Sequence, residues 1–308
     1  MQLDETIAAI RFFHRQRVFA MEQRKRSDLA IGSFLRTVLG WRLDLPSDER
    51  SAIAKRAAFI ADTVEKVLKQ EAKAEDKRKP VEGADDPDVL ANWDIVAASI
   101  KGRTHWDNLE ATMEKAMSKL AISLPVWRDF GEGVHGFGAP SLAVIVAEAG
   151  DLSGYPKKGH LWKRMGVAQI DGVRQGGLSK TAPAERWIEH GYNRQRRSRM
   201  WNIGKFLVQA QVRVVKDEQG QDTGERVAVG AYGEMFMRRR AYEIAKAEEA
   251  GLTVAPSAKI PAKRKMEFIS EGHIRRKAQR YVEQRLLRDL WQAWRNEGKA
   301  SERLAEAA

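Results

Sequence analysis

The sequence contains no cysteine, which rules out disulfides and thiolate metal sites. No apolar run approaches the roughly 18 residues needed to cross a bilayer. Met1 to Gly40 carries charges throughout, so nothing there resembles a signal peptide. A phosphate loop of the G-x-x-x-x-G-K-S/T kind is absent, and so is any internal repeat. The histidines are scattered, and His135, His160, His190 and His273 include no pair at ligand-like spacing. No metal site and no cofactor is therefore expected, and a cytoplasmic, nucleoid-associated location is.

What the chain has in quantity is positive charge. Its 308 residues carry 54 Lys and Arg against 42 Asp and Glu, a formal net charge of +12 and a pI near 9.8. With 43% hydrophobic residues it can also bury a core. That balance points to a polyanionic partner, because each phosphate neutralised releases counterions.

Helical periodicity dominates. Leu3, Ile7, Ile10 and Phe13 fall three or four apart, which predicts an amphipathic helix. Arg24-Lys25-Arg26 precedes a second periodic segment that closes at Gly40. Ser47 is the expected cap of the next helix, with Asp48 and Glu49 in its first turn where the dipole favours them. Residues Gln70 to Asp88 lose the pattern and predict a solvated linker. Helices are expected again around Val89 to Ile100 and Trp106 to Leu120, before Pro125 ends the region.

The centre of the second half is Gly136-Phe137-Gly138, followed by Ala139-Pro140-Ser141 and an apolar run that stops at Gly150. These residues predict a hairpin between two helices, with Pro140 in a first turn and Gly150 just past a helix end. Such a turn leaves backbone N–H groups free to meet an anion. Downstream, Gly159 to Gly166 predicts a short basic helix, and Ala168 to Glu185 an irregular segment. The run His190 to Arg199 holds the densest positive charge and leads into an apolar helix through Val208. Arginines at a helix start oppose the dipole, which suggests a role outside the fold. Val212, Val214, Val227 and Val229 fit either a short hairpin or a helix followed by a loop. A helix closed by Gly251 and a long final helix with Ile274, Ala278, Tyr281, Leu286, Leu290 and Trp294 inward complete the chain.

The order of these elements resembles the C-terminal half of the one-ten family of insertion-sequence transposases. The residues concerned are Gly136-Phe137-Gly138 with Ala143, then Glu148-Ala149-Gly150-Asp151, the basic helix, and His273 to Arg280 with Leu286-Leu287, Trp291 and Trp294. The resemblance covers roughly Val126 to Arg295. It implies a helix-hairpin-helix DNA-binding domain, a mobile-element origin, and a guide RNA as a further partner. The family's metal-binding acidic residues, the first on a β-strand, have no counterpart here. Its nucleophilic Ser has none in Gly172 to Gly177 either, which leaves Ser179 and Ser198 as weak substitutes.

The expectation is thus an all-α protein with an N-terminal helical region over 1–125 and a helix-hairpin-helix domain over 126–308, with room for one short β-hairpin. The expected function is transposase-like binding of DNA, through Gly136, Gly138, Lys157, Lys158, Lys163, Arg164, Arg194, Arg196, Arg197 and Arg199. Changes at Arg196 and Arg197 should then reduce the salt dependence of binding. An active serine recombinase and a non-enzymatic protein-binding scaffold are the alternatives. No membrane partner is expected, and a homo-oligomer is left open.

Overall fold

The computed structural model describes residues 2–306, and the side chains of all of these except 262, 263, 265 and 298–306. Met1, Ala307 and Ala308, at the outer ends of the two expected domains, lie outside the described residues. The fold is mostly helical, with ten α-helices and three two-stranded pairings among the described residues. No described helix is long and apolar enough to cross a membrane.

Two compact units form, and neither boundary falls at residue 125. One comprises Phe13–Lys115; the other comprises Met1–Phe12 with Ala116–Ala308. The first helical turns belong with the C-terminal residues, and Ile7 and Ile10 there are buried.

Helix α1 (Leu3–Val38), most of which lies in the first unit, continues through the basic cluster expected to interrupt it. Arg24 is accommodated by an ion pair to Glu110 at 2.8 Å. Helix α2 (Ser47–Glu71) starts one residue earlier than a Ser47 cap requires: Pro46 holds the cap position and Ser47 is already helical. Asp48 and Glu49 do occupy its first turn. The expected linker ends in a built cap, where Asp86 Oδ1 accepts from Asp88 N at 3.0 Å and opens α3 (Pro87–Ala91). Helix α4 (Trp93–Ile122) joins the two shorter helices expected there into one. Leu35, Ile60, Val64, Val89 and Val96 form the buried core between these helices.

The second unit continues with α5 (Ala139–Ala149), α6 (Lys158–Arg164) and a minimal hairpin, β1 (Gln169–Ile170) with β2 (Val173–Arg174). Next come α7 (Ala184–His190) and α8 (Arg194–Gln211), which runs directly into β3 (Val212–Lys216). Strand β3 pairs antiparallel with β4 (Asp222–Ala228), so of the two forms open to the valines the hairpin is the one adopted. Helix α9 (Ala231–Glu249) is followed by β5 (Thr253–Ala255), which pairs parallel with β6 (Phe268–Ser270) ahead of α10 (Glu271–Glu306).

Helix α10 is the spine of this unit. Its residues Ile274, Ala278, Val282, Leu286, Leu287 and Leu290 are buried, a stripe at three- and four-residue spacing. Three indole N–H groups tie its flank to the rest. Trp162 Nε1 donates to Gln284 O at 2.9 Å, Trp291 Nε1 to Tyr155 O at 2.9 Å, and Trp294 Nε1 to Asp151 Oδ1 at 2.8 Å. The tryptophans thus fill the core while their single donors find acceptors.

Candidate nucleic-acid interface

The glycine turn is covered on one side. Gly136 has φ +82°, and a Cβ there would stand 2.4 Å from Ala210 Cβ on α8. Gln211 Nε2, also on α8, donates to His135 O at 2.8 Å. Phe137 is buried and meets Phe130 edge-on at 6.0 Å. Ahead of the turn, residues Trp127–Gly131 form a single five-residue π turn. Gly138 caps α5 and Pro140 stands in its first turn. Because Pro140 has no N–H, while Ser141 and Leu142 donate to Gly138 O at 2.9 and 3.3 Å, few amides are left to face an anion.

Gly136→Ala should therefore destabilise the protein by about 2–4 kcal/mol, combining a left-handed backbone with a methyl forced against α8. Chemical denaturation measures this directly. A loss below about 0.5 kcal/mol would mean that the turn is not held against Ala210.

The arginine run opens α8, with Asn193 Oδ1 accepting from Arg196 N at 2.8 Å as the cap. Three of its four arginines turn inward. Arg196 Nε meets Glu148 Oε2 at 3.0 Å, Arg199 pairs with the other oxygen of Glu148, and Arg197 Nη1 meets Glu283 Oε2 at 2.9 Å. Arg196 also donates to Arg164 O at 3.2 Å, and Arg164 Nε to Glu148 O at 2.8 Å. The outward role suggested by arginines at a helix start thus gives way to an internal one, in which Glu148 and Glu283 offset the unfavourable dipole.

Helix α5 lies antiparallel to α8. Gly136, just ahead of its start, packs at Leu207 and Ala210, and Glu148 at its end meets Arg196 and Arg199. Over the 11 residues of α5 that places the glycine turn and the arginine run ~16 Å apart. The structure does not bring Gly136 and Gly138 onto one surface with the arginines.

Other expected contacts remain outward. Lys157, Lys158, Lys163, Arg164 and Arg194 are exposed. Lys158 Nζ sits 5.7 Å from the Trp162 ring centroid. The position of a Cβ on Gly191, in the turn before α8, is 3.7 Å from Lys163 Cε. Lys163 and Arg164, in the last turn of α6, therefore lie near the start of α8, while Lys157 and Lys158 stand at the opposite end of α6.

The two candidate serines lie apart from an activating group among the described residues. Ser179 Oγ bonds to Thr181 Oγ1 at 2.8 Å in an exposed loop, and Ser198 is exposed on α8. Neither hydroxyl has a His or carboxylate partner among the described residues. His190 is fully buried, with neither ring nitrogen hydrogen-bonded to a described residue. Among the described residues no group of three or more His, Asp or Glu side chains is placed to hold a metal ion.

Two features escaped the sequence. The first is the buried carboxylate Glu283, fully enclosed beneath α8 and accepting from Gln279 Nε2 at 2.9 Å. Burial pushes its pKa up to about 7 against the pull of Arg197 and Arg280. Burial and Arg197 in turn push the Arg280 guanidinium down to about 10.

The second is a basic concavity of ≈ 480 Å³ between α9 and α10. Arg238, Arg239 and Tyr242 from α9 face Tyr281, Arg285 and Arg288 from α10, with Met235 at one end. The signal was present as three- and four-residue spacing on each helix, but only the antiparallel docking of one on the other brings the two sets together. Comparison with protein-family models, curated proteins and solved structures finds no match for this chain.

Proposed function

We propose that this protein binds nucleic acid, with DNA as the partner, as a transposase-like protein whose role is gripping the sugar-phosphate backbone rather than cutting it. The observation that carries this is the set of exposed cations along α6 and at the start of α8, Lys157 and Lys158 at one end of α6, Lys163 and Arg164 at the other and Arg194 on α8, in a chain of net charge +12. Lysine and arginine contacts of this kind position a protein on a backbone without reading sequence.

The resemblance to the one-ten transposases gains support from how its motif residues are used. Glu148 anchors the basic helix α8, and Asp151 accepts from Trp294 of the closing helix. The motifs that suggest the family are thus joined to one another by hydrogen bonds. Its helix-hairpin-helix component rests on the Gly136–Gly138 turn and α5 alone.

The test is binding of fluorescent duplex and branched DNA over a salt series. The logarithm of affinity should fall linearly with log salt, and replacing Lys157, Lys158 and Arg194 by Gln should flatten the slope by about 0.9 for each phosphate left without its cation. Salt-independent binding, or none, overturns the proposal. Protein purified without nuclease and then treated separately with DNase and RNase shows whether DNA or a guide RNA travels with it.

A further inference from the structure

Resting on the nucleic-acid function just proposed, we infer that the concavity between α9 and α10 is a second contact surface, built for an unpaired strand. There Tyr242 stacks on a base while Arg238 and Arg285 hold the flanking phosphates.

The charge of the concavity is unbalanced. Four guanidiniums line it, and two have carboxylate partners: Arg239 with Glu243 at 2.5 Å, and Arg288 with Asp289 at 2.6 Å. Both carboxylates are shared. Glu243 also meets Lys277 at 3.1 Å, and Asp289 accepts from Tyr232 Oη at 3.0 Å. Arg238 and Arg285 have no carboxylate within ion-pair distance among the described residues. Like charges gathered in one hollow repel, and that repulsion is relieved by a bound polyanion.

The aromatic content separates a strand with free bases from a simple polyanion. Arg239 lies 4.7 Å from the Tyr242 ring centroid and 5.1 Å from that of Tyr281, and Arg285 lies 4.7 Å from Tyr281. The guanidiniums brace the rings and hold them in the wall of the concavity. Tyr242 remains 53% exposed, and neither tyrosine hydroxyl is engaged by another described residue. Arginines beside an exposed aromatic ring suit single strands, whose bases have open faces; in a duplex those faces are already stacked. An acidic protein segment would use the charge and leave the rings without purpose.

The test uses the full chain and three labelled probes of about 12 nucleotides, within the span of one single-strand groove: oligothymidine, an abasic strand of equal length, and a duplex. Tyr242→Leu should weaken oligothymidine binding about tenfold, leaving the abasic strand and the duplex unchanged, and Tyr242→Phe should restore it. Arg238→Gln with Arg285→Gln should flatten the single-strand salt slope by about 1.4. Thermal melts of each variant establish that it is folded.

Equal loss on oligothymidine and the abasic strand, or none on either, overturns the inference. So does displacement of oligothymidine by polyglutamate as readily as by unlabelled oligothymidine, which would identify an acidic protein as the ligand. If duplex binding persists and the concavity variants behave as wild type, the concavity assignment fails and the proposed function stands. If wild type binds none of the three probes, the proposed function fails with it.

Discussion

Glu148→Gln is expected to lower the free energy of unfolding by about 3 kcal/mol, through loss of the charge that two arginines share. Its side chain is 10% exposed and those of Arg196 and Arg199 are 15% and 24% exposed, so water is largely excluded from the group. Gln preserves the length and one acceptor oxygen. Its NH2, however, faces a guanidinium where an oxygen accepted before, and both cations are left without a counter-charge in a poorly solvated place. Removing one member of a buried pair typically costs about 3–5 kcal/mol, and the partial exposure of Arg199 places the value at the lower end. Urea denaturation of the two proteins measures it.

The same experiment bears on function. Were Arg196 and Arg199 directed at a nucleic acid, Glu148→Gln would leave stability within about 1 kcal/mol of wild type and strengthen DNA binding by freeing two cations. The geometry gives the opposite expectation: lower stability, and no gain in affinity among molecules that remain folded.

The parts of this molecule that could be read from its residues are those governed by neighbours in sequence. The inward stripe of α10, the helix stop at Gly150 and the closing Gly251 each follow from spacing or from a backbone angle that glycine adopts readily. The continuity of α1 did not, because Arg24-Lys25-Arg26 interrupts the apolar pattern and is accommodated by Glu110, far away in the chain. The arginine run shows the same limit more sharply. Its density was visible, but its destination was set by Glu148 and Glu283, 48 and 86 positions away from their partners Arg196 and Arg197, and no local pattern encodes that. A dense cationic run therefore looks identical in sequence whether it faces phosphate or a buried carboxylate. The α9–α10 concavity is the converse case: Arg238-Arg239-Arg240 is legible as a basic cluster on a helix, but only antiparallel packing puts Arg239 beside Tyr281.

Glu283 should impose a pH dependence of its own on stability. It is 0% exposed, faces Arg197 at 2.9 Å and Gln279 at 2.9 Å, and fits beneath α8 because Gly204 has no Cβ, which would stand 2.5 Å from Glu283 Cγ. Burial outweighs the attraction of Arg197 and Arg280, raising its pKa from 4.5 to about 7. A raised folded pKa means that the native state binds the proton more tightly than the unfolded chain does. The associated stability is therefore complete below about pH 4.5 and is lost as pH rises through about 7, to a limit of about 3 kcal/mol. His273 runs the other way, since burial lowers its pKa and favours the folded state as pH rises. The comparison that isolates Glu283 is wild type against Glu283→Gln, which retains an acceptor for Gln279 and does not titrate. The two should be nearly equal in stability at pH 4.5, and the variant should gain steadily on wild type up to about pH 7.5. A difference that stays constant across that range would show that Glu283 is ionised throughout, with Arg197 prevailing over desolvation.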